Sequence, residues 1–364
     1  MNVPKLRFKE FNDEYAKLKY KDVLKIKSGK DQKQVEDENG KYPILGTGGQ
    51  IGKTNSFLYD KPSVLIGRKG TINKPQYMES PFWTVDTLFY SHIYEPNIPK
   101  YLFYSFQNVN WKKYDESTGV PSLSSSTIES VECSIPSPDE QIKIANFLSL
   151  LDKKIELQSK KIEDLKLFKL YMENQFIFKD DASYIEYKLR DILIEGNKTP
   201  VADTSKYQKL TIKLNLKGLE FNESQKEMSD KRPFYVRDEN ELIIGKQNYF
   251  NGSIAIVNKK YAGGICSNAI MSFKAKDGFD IKYIYLYLSQ KSYMKQREFL
   301  ANGTGQKELS EKEFLNFSIR IPSDNKVKKI IKNVNCISKK ILLEENKLNK
   351  LIELKRGLMQ DMFV

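Results

Sequence analysis

The sequence predicts a mixed α/β protein made of two copies of one globular domain, each copy followed by a long helix. Three observations predict it: an ordered internal repeat, short apolar runs that end in glycine, and an apolar spacing averaging 3.5 residues at the end of each copy.

The repeat is read directly. Lys19-Tyr20-Lys21-Asp22-Val23-Leu24 matches Lys188-Leu189-Arg190-Asp191-Ile192-Leu193, 169 residues on. Val64-Leu65-Ile66-Gly67-Arg68 matches Leu242-Ile243-Ile244-Gly245-Lys246 at an offset of 178, and Lys100-Tyr101-Leu102 matches Lys282-Tyr283-Ile284 at 182. Thr118-Gly119 with Leu123-Ser124 matches Thr304-Gly305 with Leu309-Ser310 at 186, as Ile135-Pro136-Ser137 matches Ile321-Pro322-Ser323. The offset only grows, as longer loops in the second copy would make it.

Within each copy, Val64 to Gly67 and Leu242 to Gly245 read as strands stopped by a tight turn. Helical periodicity appears around Tyr101 to Phe106 and over Ile281 to Leu288. These place the domains at residues 1–136 and 181–322, with long helices at 137–180 and 323–364.

Each long helix has a readable start. Ser137-Pro138-Asp139-Glu140 offers an N-cap serine, a first-turn proline and a capping-box glutamate; the second copy keeps Ser323 but has Lys326 in place of the glutamate. The apolar seam then runs Ile144, Leu148, Leu151, Ile155, Ile162 and Leu165 in the first helix. It runs Ile330, Val334, Ile337, Ile341, Leu348 and Leu351 in the second, each 186 residues after its counterpart. This is coiled-coil spacing, although ordinary bundle packing would use the same stripe. Gln158 and Glu344 are equivalent polar seam positions, either fixing register or lying at a wet edge. Phe168, Met172 and Phe176, with Leu354, Leu358 and Met362, carry surplus apolar surface that partner helices could bind.

Composition narrows the function. The 364 residues carry 52 lysines and 8 arginines, with a net charge of +13, which attracts polyanions. No run of 18 apolar residues suggests a membrane span, and the start Met1-Asn2-Val3-Pro4-Lys5 lacks an apolar signal region, so a cytoplasmic protein is expected. Cys133, Cys266 and Cys336 are too scattered for a zinc cluster and are expected as buried small apolar residues; His92, the sole histidine, follows an apolar run and reads as a strand-end residue. No metal site is expected.

Catalytic motifs are lacking. Thr47-Gly48-Gly49-Gln50-Ile51-Gly52-Lys53-Thr54 approaches a nucleotide-binding P-loop but has threonine where glycine is required, and Pro43 argues against a central strand before it. No Pro-Pro pair exists for the Asn/Asp-Pro-Pro-aromatic motif that a methyltransferase would need, and Asp180-Asp181 and Glu344-Glu345 read as solvated acidic pairs.

The lysine excess suits a nucleic-acid ligand but also arises as a bias of composition, and the turns are the places where the bases of double-stranded DNA would be read. With arginines few, Arg68 stands out: it opens a glycine-rich turn after a buried strand, and arginine reads guanine bidentately. Lys246, Gln247 and Asn248 occupy the same place in the second copy, where the amides suit adenine. Lys53, Lys69, Thr71, Thr304 and Gln306 are expected at the same interface, and Arg232 and Arg237 are weaker candidates.

These motifs resemble the specificity subunits of Type I restriction-modification systems. Ile135-Pro136-Ser137-Pro138-Asp139-Glu140-Gln141 leading into Ile144-Ala145-Asn146-Phe147-Leu148 is similar to the family's first conserved helix, and Leu351 to Gln360 to its C-terminal one. Leu65 to Thr71 and Asn302 to Ser310 are similar to its target-recognition domains. The resemblance implies two such domains related by pseudo-two-fold symmetry and separated by an antiparallel two-helix coiled coil, which reads half-sites about one helical turn apart. It implies two modification subunits that methylate adenine with S-adenosylmethionine, and restriction subunits that use ATP and Mg2+. It implies no cofactor and no catalysis in this chain. A free-standing bipartite DNA-binding regulator is the alternative.

Overall fold

The computed structural model describes residues 2–177, 183–222, 232–300 and 308–364. The chain divides into two compact units, Met1–Ile162 with Glu344–Val364, and Glu163–Leu343, so each unit takes part of both long helices.

In unit 1 a four-stranded antiparallel sheet runs in the order Leu24–Lys27, Leu88–Ile93, Ser63–Gly67, Gln76–Met78. Unit 2 repeats that order with Leu193–Glu195, Ile270–Ala275, Leu242–Gly245, Ile254–Ile256. Each unit also pairs its first strand with the strand before its long helix: Ala16–Lys19 with Glu132–Ile135, and Ile185–Lys188 with Ser318–Ile321.

The continuous apolar runs at the sheet centres follow from burial on both faces. Val64 and Ile66 join the core beneath the helices, while Leu65 faces a second cluster with Ile44, Phe82 and Trp83. In unit 2, Leu242 and Ile244 face one cluster and Ile243 the other. Polar contacts repeat as well. The Tyr101 hydroxyl donates to the Ser134 carbonyl and the equivalent Tyr283 to that of Arg320, both at 3.0 Å.

The duplication diverges at the second layer. Unit 1 adds a sheet of Gly49–Thr54, Tyr42–Gly46 and Trp83–Thr84, whereas the described residues of unit 2 form two separate strand pairs, Leu210–Ile212 with Leu219–Phe221 and Phe234–Val236 with Ile265–Ser267. Tyr42–Gly46 is the middle strand, against the expectation from Pro43. Only Ile44 and Leu45 pair on both sides, and Pro43 has Lys53 alone opposite it, so no ladder donor is lost. Gly49–Thr54 continues as a strand instead of opening a helix, which removes the P-loop reading.

The long helices span Pro138–Ile177 and Asp324–Met362. Glu140 does not close a capping box. Its carboxylate accepts from Arg7 Nε and Nη2 at 2.8 and 2.7 Å and from the Tyr15 hydroxyl at 2.9 Å, fastening the N-terminal segment to the helix start. In unit 1 the helices run antiparallel: Gln158 meets Glu344, Asp152 meets Lys355, and Ile144, Ala145 and Leu148 share a core with Met359, Met362 and Phe363.

The seam residues are buried or half-buried throughout, from Ile144 to Leu165 and from Ile330 to Leu351. Ile144, Ala145 and Leu148 enter the unit 1 core, and their equivalents Ile330, Ile331 and Val334 enter that of unit 2. The stripe therefore serves two neighbours, the other helix and the sheet domain.

Two expectations are corrected. Cys336 is exposed on the second helix, while Cys133 and Cys266 are buried, and burial pushes their thiols up to about 12 and about 11. Met362 is 3% exposed, and Phe363 beside it stacks on Tyr101 at 5.3 Å, so Met362 is domain core and no surface for a partner. Leu358 packs on the same core half-buried, and Met172 is half-buried, while Phe168 and Leu354 are exposed; the side chain of Phe176 lies outside the description.

Candidate nucleic-acid interface

The turn that follows the Ser63–Gly67 strand is built by close backbone packing. A Cβ on Gly67 would lie 2.3 Å from the Thr71 carbonyl oxygen, so only glycine lets the chain reverse there, and Gly70 adopts a left-handed φ of +88°. The Arg68 amide donates to the Thr87 carbonyl (2.8 Å), the Gly70 amide to that of Pro121 (2.8 Å), and the Leu123 amide to that of Arg68 (2.9 Å). Lys69 bridges to Ser122. The turn is thus clamped by the 115–123 loop, with Arg68 and Lys69 left exposed and Thr71 half-buried.

That loop is fixed in turn by Asp115, which accepts the amides of Ser122 (2.9 Å) and Ser117 (3.0 Å) and the Ser117 hydroxyl (2.8 Å). The Ser122 amide, then the Ser117 hydroxyl and amide, hold the Asp115 carboxyl below its ordinary range.

Unit 2 reproduces the clamp. The Leu309 amide donates to the Lys246 carbonyl at 2.9 Å, as Leu123 does to Arg68, and the Lys246 amide donates to Ala269. Beyond Gly245 the path differs, because residues Tyr249–Asn251 form one 3-10 turn that ends at Gly252 with φ +79°. Gln247 and Asn248 are exposed, and Lys246 is half-buried. Lys246 lines a pocket of about 210 Å3 with Lys198, Arg237 and Asn268, and Lys198 is held by Glu195 and Glu311 at 2.9 Å each.

The structure brings Arg68, Lys69 and Thr71 together, but not Lys53. Lys53 faces Pro43 at the open end of its hairpin; the other end reaches the turn, with Thr47 Oγ1 3.8 Å from a Cβ built on Gly70. Arg237 is corrected more strongly. It is 2% exposed, lies against the Tyr235 ring (5.4 Å) and donates to the Asn197 carbonyl (3.2 Å), so it supports the fold from within. Arg232 is exposed and has bonding partners of its own. Thr304 and Gln306 lie outside the described residues. The clamping role of Asp115 and Thr87 was not anticipated, although the repeated Thr-Gly and Leu-Ser pairs marked the loop.

His92 lies half-buried in the Leu88–Ile93 strand with Nδ1 3.1 Å from the Tyr59 hydroxyl. Among the described residues no group of His, Cys, Asp and Glu side chains could hold a metal ion, and no helix is long and apolar enough to cross a membrane.

Comparison with known proteins adds to this geometry. A family model described as the Type I restriction modification DNA specificity domain matches residues 12–167 and again 183–354. The specificity subunit of the Type I restriction enzyme EcoDI of Escherichia coli is 24% identical over 148 residues, 40% of this chain and only 32% of that relative's length. The crystal structure of a Type I restriction-modification S subunit from M. genitalium superposes with a TM-score of 0.66 at 16% identity, covering 100% of this chain and 99% of that one. A chain from a study of complex assembly and conformational transition of the Type I restriction-modification system gives 0.55 at 11% identity, covering 95% and 96%. At these identities the structural likeness shows the fold alone.

Proposed function

The chain belongs to the family of Type I restriction-modification DNA specificity domains, and on that premise we propose that it reads a bipartite, interrupted DNA target on behalf of partner subunits. Each unit reads one half-site. Arg68 and Lys69 lie at the DNA in unit 1, and Gln247 and Asn248 in unit 2. The chain itself catalyses nothing. Two modification subunits supply adenine methylation from S-adenosylmethionine, and restriction subunits supply ATP- and Mg2+-dependent cleavage.

One observation carries this reading. The same clamped turn recurs in both units, held by the equivalent bonds from Leu123 to Arg68 and from Leu309 to Lys246, yet its exposed side chains differ. A shared scaffold with divergent tips suits a protein that reads two different base sequences by direct contact. The net charge of +13 supplies the sequence-independent attraction to phosphate.

Selection of duplexes from a random library by the purified chain, with its modification subunit present, tests the reading. Enrichment of a two-part motif with an unread spacer is expected; retention of no duplex at low salt overturns it.

A further inference from the structure

Unit 1 contains an open groove of about 560 Å3 between the segment after the recognition turn and the last turns of the second long helix. Asn73 and Lys74 lie on one side, Gln107 and Asn110 beside them, and Lys355 and Arg356 on the helix. No carboxylate lines it. We propose that this groove seats backbone phosphates of the DNA strand that passes the Arg68 turn, with Lys74 and Arg356 as the gripping cations; this rests on the DNA-reading function above.

Lys355 is engaged: it pairs with Asp152 at 2.6 Å and donates to Gln107 Oε1 at 3.3 Å. That bond orients the Gln107 amide so that its NH2 remains a donor. Lys74 and Arg356 are exposed, and among the described residues neither side chain has a hydrogen-bond or ion-pair partner. The groove thus offers amide donors and positive charge with no carboxylate among its lining residues, which complements phosphate oxygens.

The duplication provides an internal comparison. On the first helix, 186 residues earlier, Lys169 matches Lys355, Leu170 matches Arg356 and Glu173 matches Met359. There Lys169 is paired with its own Glu173 at 3.5 Å, and Leu170 is exposed. By strand register Lys74 corresponds to the buried Ser253. The scaffold therefore folds with neutral side chains at the places of Lys74 and Arg356, so folding does not itself call for these two cations. Asn73 and Lys74 follow the Gly67–Thr71 turn after the single buried residue Ile72, so phosphates held here fix the register in which Arg68 meets base edges.

The test uses the full-length chain and a 30-base-pair duplex of arbitrary sequence, with affinity followed by fluorescence anisotropy across potassium chloride concentrations. Lys74→Gln/Arg356→Gln should weaken binding roughly tenfold and lower the slope of log affinity against log salt by roughly 1.8, for two lost phosphate contacts. Its melting temperature should not change, and Lys9→Gln/Lys17→Gln, an equal charge loss at exposed unit 1 sites, should keep the wild-type slope. If the wild type binds and the groove variant keeps its affinity and slope, the groove inference fails while DNA reading stands. The same holds if only association with the modification subunit is lost. If the wild type binds no duplex even at low salt, both fail.

Discussion

Gln158 and Glu344 occupy the same position in the two repeats, 186 residues apart, and they touch: Gln158 Nε2 donates to the Glu344 carboxylate at 2.7 Å and to its backbone carbonyl at 3.0 Å. Equivalent positions that meet mark a local dyad of the helix pair. Lys161 and Lys347, also equivalents, both reach Glu344 Oε1, at 3.0 and 3.2 Å. A polar pair with a buried Glu344 and a half-buried Gln158 at one seam position fixes which residues face each other, because sliding either helix would part the two.

Glu344 predicts an acid-sensitive helix pair. The Gln158 amide first, then Lys161 and Lys347, hold its carboxyl down to about 2 from an ordinary 4.5. A carboxyl depressed in the folded state adds stability that is complete above its unfolded value and is lost as pH falls through the folded one. Melting temperature should therefore drop between about pH 4.5 and pH 2 more steeply for the wild type than for Glu344→Gln. Parallel curves for the two proteins would show that the contact does not carry this stability.

Glu140 predicts a large local penalty. Its side chain is 1% exposed and is the only carboxylate that Arg7 pairs with among the described residues. Glu140→Ala leaves the Arg7 guanidinium without its charge partner and should cost about 3 kcal/mol. In a double-mutant cycle measured by urea denaturation, Arg7→Ala should restore part of that loss. A purely additive cycle would contradict the pairing.

Two glycines separate steric need from chain habit. Gly67→Ala drives a methyl against the Thr71 carbonyl and should cost about 1–3 kcal/mol while weakening DNA binding by displacing Arg68. Gly48→Ala meets open space and should stay within about 0.5 kcal/mol of wild type. Thermal melts of the two variants check both values.

The helix ends divide in the same way. Met362→Ala should cost about 2–5 kcal/mol as a core truncation. Phe168→Ala and Leu354→Ala, at exposed equivalent positions, should leave the melting temperature unchanged and weaken co-purification of the modification subunit. Equal melting temperatures for all three variants would contradict the assignment of Met362 to the core.

Much of this architecture was legible because it was written twice. The Leu65-Ile66-Gly67 and Ile243-Ile244-Gly245 runs marked the sheet centres, and the 186-residue offset carried the seam from Ile144 to Ile330. What a helical stripe faces was not legible, since one spacing serves a partner helix, a sheet or an outside protein. Met362 and Leu358 were therefore assigned to a surface that the domain core covers. Hairpin geometry likewise sets Lys53 opposite Pro43, at the hairpin end away from the Gly70 turn, and Glu140 goes to Arg7, 133 residues away, instead of to a local capping box. Arg237 is interior because the buried Glu241 carboxylate (3.8 Å), the Tyr235 ring and the Asn197 carbonyl partner its guanidinium, contacts that chain order does not reveal.

Genome-wide mapping of methylated adenines, with the gene intact, deleted, and carrying Gln247→Ala/Asn248→Ala, tests the central claim most directly. The account predicts an interrupted two-part motif that is methylated with the intact gene and lost on deletion, and relaxed or altered in one half only by the unit 2 variant. A methylation map that is the same with and without the gene, or a variant that changes both halves alike, would contradict it.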